Sequence, residues 1–371
     1  MSEAYNNKYF VTGGGTGGHI YPALAIADAL TEDGAKVYYV GNKRNMEYEL
    51  ASKKGYKFLH VSVKSMPRSL SPKFFWWGVK LVRAILFSIR YIKKYKPDAV
   101  FATGGYVSAP MVFACQITHT PYMMHDCDAM PGLVTRKLSR KAKYVTLAFD
   151  KAKKYIPNRR TIVTGNPIRD QFKTLTQEQA RQELNLDKSK LTLAVMGGSQ
   201  GAKSINATTV ELLKEFSQEL GIQVIFQTGK KNYDEIIEHL KQIYPAYEQD
   251  KNLIIRPYFD NMIYVLKAAD IVMSRAGSLS ISEICASNAA PILVPYPYAA
   301  ADHQRKNAKF LLENGACVYI EDGELEPNLL RNTIIELINN PVKISYLKQN
   351  SSYLARPDAT KEIADLIHNI S

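Results

Sequence analysis

A glycine-rich segment close to the N terminus ends in a histidine and follows a short apolar stretch. Residues 13–19 read GGGTGGH, and residues 9–12, YFVT, are typical of a buried β-strand. Glycines after a strand permit a tight turn and let backbone N–H groups approach an oxygen-rich ligand. The imidazole of His19, with an ordinary pKa of about 6.5, suits the removal of a proton from a hydroxyl group at neutral pH. We therefore predict that His19 is a general base, and a purely structural histidine is the alternative.

The same glycine pattern also fits a dinucleotide-binding loop. Such a site needs an acidic residue after the second strand to hold a ribose. The predicted second strand, residues 36–40, is followed by Gly41, Asn42, Lys43 and Arg44, without Asp or Glu. NAD is therefore disfavoured. Lys43 and Arg44 leave an NADP-dependent oxidoreductase open, and a loop that is only a structural turn is a further alternative.

The second half of the chain repeats this arrangement of a strand followed by glycines. Residues 191–196 predict a strand, and residues 197–202 read GGSQGA. Successive backbone donors and the N terminus of the following helix can hold a phosphate without a metal, and Ser199 adds a hydroxyl donor. The segment lacks the Gly-Lys-Ser/Thr ending of a P-loop, which argues against ATP hydrolysis.

Two further polar segments follow predicted strands of the second half. Residues 274–283, SRAGSLSISE, lead from small residues into a helix that carries Glu283 near its start. Glu283 could accept both hydroxyls of a ribose while Ser278 and Ser280 face a phosphate; ordinary helix capping is the alternative. Residues 302–307, DHQRKN, suit the hydroxyls of a sugar, although a solvated helix start has a similar composition.

A short acidic motif and four cysteines raise the question of metal binding. Asp126-Cys127-Asp128 matches the Asp-x-Asp that binds a metal–diphosphate in some transferases, but three-residue acidic matches are frequent by chance. The cysteines are Cys115, Cys127, Cys285 and Cys317. They lie far apart and lack the spacing of a zinc site. We expect reduced thiols and no metal ion.

An aromatic and basic segment in the first half is compatible with a membrane surface. The patch consists of Phe74, Phe75, Trp76 and Trp77. It precedes an apolar stretch at residues 79–87 and basic residues up to Lys96. Burial in the core is one interpretation, and insertion into the headgroup layer of an anionic membrane is the other. The formal charge of +13 and the pI of about 9.3 favour an anionic partner.

The chain shows no pattern of a secreted or membrane-spanning protein. Residues 1–8 are polar and lack the features of a signal peptide. No uncharged apolar run approaches the roughly 20 residues that are needed to cross a bilayer. We expect the protein on the cytoplasmic side of the membrane.

Alternating strands and helices must position these segments. Apolar stretches predict strands at residues 9–12, 36–40, 99–102, 121–124, 191–196, 223–227, 253–256, 271–273 and 291–294, and helices at residues 22–30, 202–218 and 359–370. This alternation is typical of parallel sheets with crossover helices. A chain of 371 residues is long enough for two domains. We therefore predict an α/β protein of two Rossmann-like domains.

The chain resembles the MurG family, the N-acetylglucosaminyltransferases of peptidoglycan synthesis, through most of its length. The resemblance depends on six blocks in the family's order: residues 14–19, 104–108, 164–169, 197–202 with Asn206, 275–283 and 303–304. It implies a GT-B fold, in which two Rossmann-like parallel-sheet domains face each other across a cleft. Residues 1–164 would form the acceptor domain and residues 165–350 the donor domain. Residues 351–371 would form a C-terminal helix that returns to the first domain.

The resemblance also implies the substrates and the residues that bind them. The donor would be UDP-N-acetylglucosamine and the acceptor lipid I, undecaprenyl-diphospho-muramyl-pentapeptide, at the cytoplasmic face of an anionic membrane. The implied donor-binding residues are Thr16, Gly17, Gly18, Asp128, Arg169, Ser199, Phe259, Ser278, Leu279, Ser280, Glu283 and Gln304. The implied acceptor-binding residues are Gly14, Gly15, Tyr106 and Asp126. The diphosphate of the acceptor would suit the first glycine loop, and its polyprenyl tail the patch near Trp76 and Trp77. No cofactor and no nucleic acid partner is implied.

The implied reaction is a direct, inverting displacement. His19, or a water molecule that it orders, takes the proton of the muramyl 4-hydroxyl as this oxygen attacks the anomeric carbon of the sugar. Helix N termini and Arg169 stabilise the charge on the leaving UDP. By position, Phe259 lies where backbone groups hold the uracil, Glu283 at the ribose and Gln304 at the sugar.

The chain departs from the family's pattern on the acceptor side. The family's His-Glu-Gln-Asn block reads HDCD at residues 125–128, Thr135 stands where another Asn is common, and Ala109 replaces a Gly. The carboxylate of Asp128 could repel a diphosphate or supply a different base. A related transferase with another membrane glycolipid acceptor therefore stays an alternative, as does a non-catalytic basic protein.

Overall fold

The chain folds into two compact α/β units. A computed structural model describes residues 7–67, 72–198 and 200–371, of which residues 72 and 73 are described by their backbone alone. The first unit comprises Met1–Arg169 and Arg356–Ser371, and the second unit comprises Asp170–Ala355. Each unit has its own sheet and its own core.

The first unit contains a parallel sheet of seven strands. The strands are β1 (Lys8–Thr12), β2 (Lys36–Gly41), β3 (Lys57–His60), β4 (Ala99–Ala102), β5 (Tyr122–Asp126), β6 (Val145–Leu147) and β7 (Thr161–Val163). Their spatial order is β3-β2-β1-β4-β5-β6-β7. The helices are α1 (Gly17–Glu32), α2 (Met46–Lys53), α3 (Pro72–Tyr95), α4 (Gly105–Thr118) and α5 (Leu133–Leu138).

Strand β1 lies in the middle of this sheet and is buried on both faces. Tyr9 and Val11 belong to the core on one face, and Phe10 belongs to the core on the other. This alternation follows from the two-residue period of a strand. Because helices cover both faces of a parallel sheet, its inner strands must be apolar throughout. The sheet thus holds the carboxyl end of β1, where the first glycine loop begins, in a rigid setting.

The second unit contains a parallel sheet of six strands. The strands are β8 (Thr192–Met196), β9 (Gln223–Gln227), β10 (Leu253–Arg256), β11 (Ile271–Ser274), β12 (Ala290–Leu293) and β13 (Val318–Tyr319), in the spatial order β10-β9-β8-β11-β12-β13. The helices are α6 (Gln171–Thr174), α7 (Gln177–Glu183), α8 (Lys203–Lys214), α9 (Tyr233–Ile243), α10 (Met262–Ala268), α11 (Ser278–Ser287), α12 (His303–Glu313), α13 (Pro327–Asn339) and α14 (Pro341–Leu354). Both sheets confirm the predicted α/β class with two Rossmann-like units.

The last helix, α15 (Ala359–His368), belongs to the first unit. Ile363, Ala364 and Ile367 are buried in the core that surrounds β1 and α1. The hydroxyl of Tyr9 lies 2.9 Å from Nδ1 of His368, whose Nε2 lies 3.1 Å from a carboxylate oxygen of Asp33. A fully buried side-chain contact and a polar chain of three groups therefore attach this helix to the first sheet.

The units divide five residues later than the sequence suggested, after residues 169 and 355 instead of 164 and 350. The reason is packing within the first unit. A Cβ on Gly165 would lie 2.3 Å from Cβ of Arg356, so the backbone of Gly165 packs directly against the side chain of Arg356. The hydroxyl of Thr360 donates to the carbonyl of Ile168 at 2.9 Å. The segment after β7 and the segment before α15 therefore stay with the first sheet.

Candidate active site

Three loops of the first unit begin at the carboxyl ends of neighbouring strands. They follow β1, β4 and β5, and contain the first glycine segment, residues 103–104 and residues 127–132. Thr12, at the end of β1, pairs in register with Ala102, at the end of β4. Because parallel strands end at one edge of their sheet, the three loops meet there, as ligand-binding loops of open α/β sheets do.

His19 lies in the first turn of α1 and is fixed by Thr103. Its Nδ1 lies 2.7 Å from the carbonyl oxygen of Thr103, and the hydroxyl of Thr103 donates to the carbonyl of His19 at 2.6 Å. A carbonyl oxygen only accepts, so Nδ1 carries the hydrogen. In the neutral ring the lone pair is then on Nε2. This tautomer is the one in which Nε2 can act as a base.

Asp126 ends β5 and is buried next to the same loops. Its carboxylate accepts the backbone N–H of Gly132 at 3.0 Å and that of Asp128 at 3.3 Å. Burial raises the pKa of Asp126 to about 7, and the negative charge of Asp128 adds to this shift. Asp126 therefore changes its charge near neutral pH, where an ordinary aspartate stays ionised.

Gly104 separates His19 from Asp126 and adopts a positive φ of 78°. A Cβ at this position would lie 3.1 Å from the hydroxyl of Thr135, 3.7 Å from Cε1 of His19 and 3.8 Å from Oδ2 of Asp126. Glycine is favoured here by both the backbone conformation and the crowding. The structure thus brings His19 and Asp126, predicted for different roles, to the two sides of one glycine.

The remaining members of the motif at residues 125–128 have structural partners. His125 is fully buried between Thr146 and Asn166, with ring nitrogens 3.0 and 3.1 Å from their side-chain oxygens. Burial lowers the pKa of His125 to about 4, so this imidazole stays neutral at pH 7. The thiol of Cys127 donates to the carbonyl of Gly18 at 3.1 Å. This bond replaces one that α1 cannot form, because Pro22 has no N–H to donate to Gly18, four residues before it.

The residues predicted to contact the acceptor also lie in the first unit. The aromatic ring of Tyr106 covers Gly15, where a Cβ would lie 2.7 Å from Cε1 of the ring. Gly14 is buried and Gly15 is exposed. Gly14 and Gly15 thus lie in the loop after β1, Tyr106 in the first turn of α4, and Asp126 at the end of β5.

Asp126-Cys127-Asp128 does not form part of a multidentate acidic or thiolate cluster. Among the residues that the structure describes, no group of three or more His, Cys, Asp or Glu side chains is arranged to hold a metal ion. The four cysteines are buried free thiols. Burial raises the pKa of Cys127 well above its usual range, so its sulfur stays protonated and can donate.

In the second unit the glycine loop follows β8 and leads into α8. The N–H of Gly201 donates to the carbonyl of Gly198 at 3.0 Å. A Cβ on Gly201 would lie 2.1 Å from the carbonyl oxygen of Thr228, so the loop packs directly on the backbone after β9. Ser199, predicted to bind phosphate, lies outside the described residues.

A buried glutamine connects this loop to the segment after β10. The side-chain nitrogen of Gln227 donates to the carbonyl of Gly198 at 3.3 Å, and its oxygen accepts the N–H of Phe259 at 2.9 Å. Sequence reasoning missed Gln227, as it missed Thr103. The available signal was a polar residue at the end of a strand with an apolar interior, as for Gln227, or directly after such a strand, as for Thr103, since such a residue must find partners where it is buried.

The other predicted donor-binding residues of the second unit lie at two helix starts. Ser278, Leu279 and Ser280 form the first turn of α11, and Glu283 lies half-buried on the same helix. Gln304 lies in the first turn of α12, and its side-chain oxygen accepts the N–H of Tyr296 at 2.9 Å. First-turn N–H groups lack helical partners and suit an anion.

The donor-binding residues predicted in the first unit have different exposures. Thr16 and Arg169 are exposed. Gly17, Gly18 and Asp128 are half-buried.

Helix α3 carries the aromatic patch and exposes part of it. Phe75 and Trp76 are 69% and 62% exposed, whereas Phe74 and Trp77 are half-buried and their rings lie 5.6 Å apart. The indole N–H of Trp77 donates to the carbonyl of Lys64 at 2.9 Å. Exposed apolar side chains continue along the helix at Val79, Val82, Leu86 and Phe87. Within the described part of the chain, no helix is long and apolar enough to cross a membrane.

Comparisons with known proteins agree on one family. The model of the glycosyltransferase family 28 N-terminal domain matches residues 9–147, and that of the family 28 C-terminal domain matches residues 192–370. A protein of Halothermothrix orenii is 37% identical over 368 residues, which cover 98% of each chain. A protein of Desulforamulus reducens is 37% identical over 366 residues, again 98% of each chain. Both are named UDP-N-acetylglucosamine–N-acetylmuramyl-(pentapeptide) pyrophosphoryl-undecaprenol N-acetylglucosamine transferase.

A solved structure is similar over the whole chain as well. The crystal structure of Acinetobacter baumannii MurG aligns with a TM-score of 0.78 and 27% sequence identity, over 98% of this chain and 99% of the other. The similarity includes both units, which confirms the predicted GT-B class.

Proposed function

We propose that this chain, which belongs to glycosyltransferase family 28, transfers N-acetylglucosamine from UDP-N-acetylglucosamine to the muramyl 4-hydroxyl of lipid I, forming lipid II. The observation that supports this most strongly is the 37% identity to enzymes of that name over 98% of both chains. With the family established, the NADP-dependent oxidoreductase and the non-catalytic basic protein are no longer needed as alternatives. The product would serve the synthesis of peptidoglycan, and with it cell shape and division.

The second unit supplies the groups for the nucleotide donor. The glycine loop after β8 and the first turn of α11 offer N–H groups to a diphosphate, as helix N termini do in many nucleotide sites. Glu283 on α11 binds the ribose hydroxyls, backbone groups at Phe259 hold the uracil, and Gln304 reads the sugar. The donor contacts of Thr16, Gly17, Gly18, Asp128, Arg169, Ser199, Ser278, Leu279 and Ser280 are part of the same proposal.

The first unit supplies the base. Thr103 accepts the Nδ1–H of His19, which leaves the lone pair of the neutral ring on Nε2. Nε2 takes the proton of the acceptor hydroxyl while that oxygen forms its bond to the anomeric carbon and the bond to UDP breaks. The configuration at the anomeric carbon inverts, and the proton is on His19 when UDP leaves. A positioned base of this kind contributes about 10²- to 10⁴-fold to the rate.

Gly14, Gly15, Tyr106 and Asp126 contact the acceptor in this proposal. Asp126, with its pKa raised to about 7, can be protonated near neutral pH and then presents less negative charge to a diphosphate. This removes part of the repulsion that a fixed carboxylate would exert. The charge of Asp128 stays the main difference from the family's pattern, and a related membrane glycolipid is therefore the second candidate acceptor.

The exposed face of α3 suits the surface of an anionic membrane at the cytoplasmic side. The helix carries six Lys or Arg residues and no Asp or Glu, and its exposed apolar residues form a stripe at helical spacing. Phe75 and Trp76 enter the headgroup layer, and the basic side chains meet anionic lipids. This peripheral placement brings the enzyme to an acceptor whose polyprenyl tail is in the bilayer.

The test is the release of UDP from UDP-N-acetylglucosamine with and without lipid I, each with and without EDTA. We expect release that depends on lipid I and is unchanged by the chelator. Donor binding without turnover on lipid I would contradict the proposed acceptor, and the same assay with simple membrane glycolipids would then identify the second candidate. Loss of turnover in EDTA would contradict the proposed metal-independent stabilisation of UDP.

A further inference from the structure

A buried carboxylate lies directly beneath the first glycine loop. Glu47, in the first turn of α2, is fully buried. Its Oε2 accepts the backbone N–H of Gly15 at 3.3 Å. Its Oε1 accepts the backbone N–H of Asn42 at 3.2 Å and the side-chain N–H of Asn45 at 3.1 Å. A buried carboxylate needs such donors, because an unpaired one is strongly disfavoured away from water.

The carboxylate also determines how close the loop can come. A Cβ on Gly14 would lie 2.6 Å from Oε1 of Glu47, which no real side chain could tolerate without movement. Gly14 is therefore glycine because Glu47 occupies the space next to its backbone.

Two tyrosines and one asparagine complete the support of the loop. The hydroxyl of Tyr39 donates to the carbonyl of Gly13 at 2.7 Å, and burial together with the charge of Glu47 raises the pKa of Tyr39, so it stays protonated. The side-chain nitrogen of Asn45 lies 3.2 Å from the hydroxyl of Tyr106 and also donates to Glu47. Asn45 thus joins the carboxylate beneath the loop to the tyrosine that covers Gly15.

The backbone N–H of Gly15 already donates to Glu47, so it is not available to an anion that would need a donor at this position. The N–H groups of His19 and Ile20 return to the carbonyl of Thr16, each at 3.1 Å. An anion at Gly14–Gly15 would meet a donor that is already bonded, with a negative charge beneath it. The N–H groups of Gly17 and Gly18, which open α1, face no such competition from Glu47.

We propose that Glu47 is a positioning residue that holds the buried Gly14 and the exposed Gly15 in place, so that Gly15 faces the sugar hydroxyls of the acceptor and the acceptor's diphosphate is directed elsewhere. The inference rests on the proposed function and goes beyond it, since it divides the glycine loop into an earlier part that faces the sugar of the acceptor and a later part, residues 16–18, that stays available to the donor. Glu47 acts through Gly15 and Tyr106 and does not touch the substrate.

The test compares Glu47→Gln with the matched control Glu49→Gln. Glu49 is on the same helix but exposed and paired with Lys53, away from the loop. Glutamine keeps the size of Glu47 but has one acceptor oxygen and an NH₂ group that opposes the donors around it. We expect kcat/KM for the lipid acceptor to fall about tenfold or more, as for a lost charge-assisted hydrogen bond, with unchanged UDP affinity. Asn45→Ser, at a half-buried position, is the second variant and should give a smaller loss in the same direction.

Two further measurements separate this inference from the proposed function. A polyprenyl diphosphate without sugar should inhibit Glu47→Gln at least as tightly as the parent, because the variant lacks the charge that repels an anion from this part of the loop; weaker inhibition of the variant would overturn the inference. Hydrogen exchange of the peptide containing residues 13–19 should accelerate in Glu47→Gln and not in Glu49→Gln, whatever the acceptor is. Unchanged exchange together with unchanged acceptor kinetics would also overturn it, whereas a parent enzyme inactive on lipid I would contradict only the proposed function.

Discussion

The side-chain oxygen of Gln227 accepts the backbone N–H of Phe259 at 2.9 Å, and its nitrogen donates to the carbonyl of Gly198 at 3.3 Å. A backbone N–H can only donate and a carbonyl oxygen can only accept, so these two partners determine the orientation of the side-chain amide. One side chain thereby connects the loop proposed for the phosphates with the segment proposed for the uracil. Two segments of the proposed donor site are therefore linked through this side chain.

Replacing Gln227 by Glu should weaken donor binding. The carboxylate can still accept the N–H of Phe259, but it faces the carbonyl of Gly198 without a hydrogen to donate. We expect KM for UDP-N-acetylglucosamine to rise about tenfold, with KM for the acceptor unchanged. Initial rates and calorimetric titration of UDP would measure this. Gln242→Glu, on the exposed side of α9, is the control, and equal effects of both variants would contradict the role of Gln227.

Replacing His19 by Ala should remove the base and leave the donor site intact. Turnover should fall about 10²- to 10⁴-fold, because the acceptor hydroxyl then has no positioned group to take its proton. UDP affinity, measured by calorimetry, should stay within a factor of about two. His239→Ala removes an exposed imidazole of the second unit and should leave turnover unchanged. A His19→Ala enzyme with normal turnover would disprove the mechanism.

Asp126 should make stability depend on pH in a specific direction. Its pKa is raised from the ordinary 3.8 to about 7, so the folded protein binds more protons than the unfolded chain in this interval. The contribution of Asp126 to the free energy of unfolding therefore falls as the pH rises from about 4 to about 7. We therefore compare the free energy of unfolding of Asp126→Asn with that of the parent at each pH. The difference in favour of the variant should be larger at about pH 8 than at about pH 5, as measured by urea unfolding.

The exposed Asp150 gives the control for that measurement. It pairs with Lys153 on the surface of the first unit, and Asp150→Asn should show the pH dependence of the parent. If the difference between Asp126→Asn and the parent is the same at both pH values, the buried carboxylate does not titrate in this range.

The hydrogen bond from the thiol of Cys127 to the carbonyl of Gly18 should contribute measurably to the free energy of unfolding. Cys127→Ala leaves the carbonyl of Gly18 without the thiol donor, and we expect a loss of about 1 kcal/mol in the free energy of unfolding. Cys127→Ser keeps a hydrogen-bond donor at this position and should therefore retain most of the free energy of unfolding that Cys127→Ala loses. Pro22→Ala supplies the helical N–H that the proline lacks and should reduce the loss in a double variant. Additive effects of Cys127→Ala and Pro22→Ala would show that the two groups do not share this carbonyl.

The exposed face of α3 should carry membrane binding. Replacing Trp76 and Leu86 by Ala should weaken binding to vesicles that contain phosphatidylglycerol by about tenfold or more, because both side chains are largely exposed. Co-sedimentation would measure it, with neutral phosphatidylcholine vesicles as the comparison. Tyr353→Ala, an exposed aromatic residue of the second unit, is the control. Equal binding of all variants would place the membrane contact elsewhere on the protein.

Local patterns were sufficient for most of the strands. The predicted strands at residues 99–102, 223–227 and 253–256 have the bounds that the structure shows. Strands β3, β6, β7 and β13 were not predicted; they have two to four residues. Such short strands at or near a sheet edge acquire their structure from a neighbouring strand, and their own apolar pattern is too short to indicate it.

The sequence by itself determined the α/β class, the glycine loops, the identity of His19 as a candidate base and the family, because each depends on neighbouring residues or on blocks in a fixed order. The tertiary structure decided which side chains support those loops. Glu47 meets Gly15 and Gln227 meets Phe259 across 32 residues, and Cys127 meets Gly18 across 109 residues. It also decided that Phe75 and Trp76 are exposed while Phe74 and Trp77 are half-buried. These contacts depend on how strands and helices pack, and the chain's local periodicity carries no information about partners that distant.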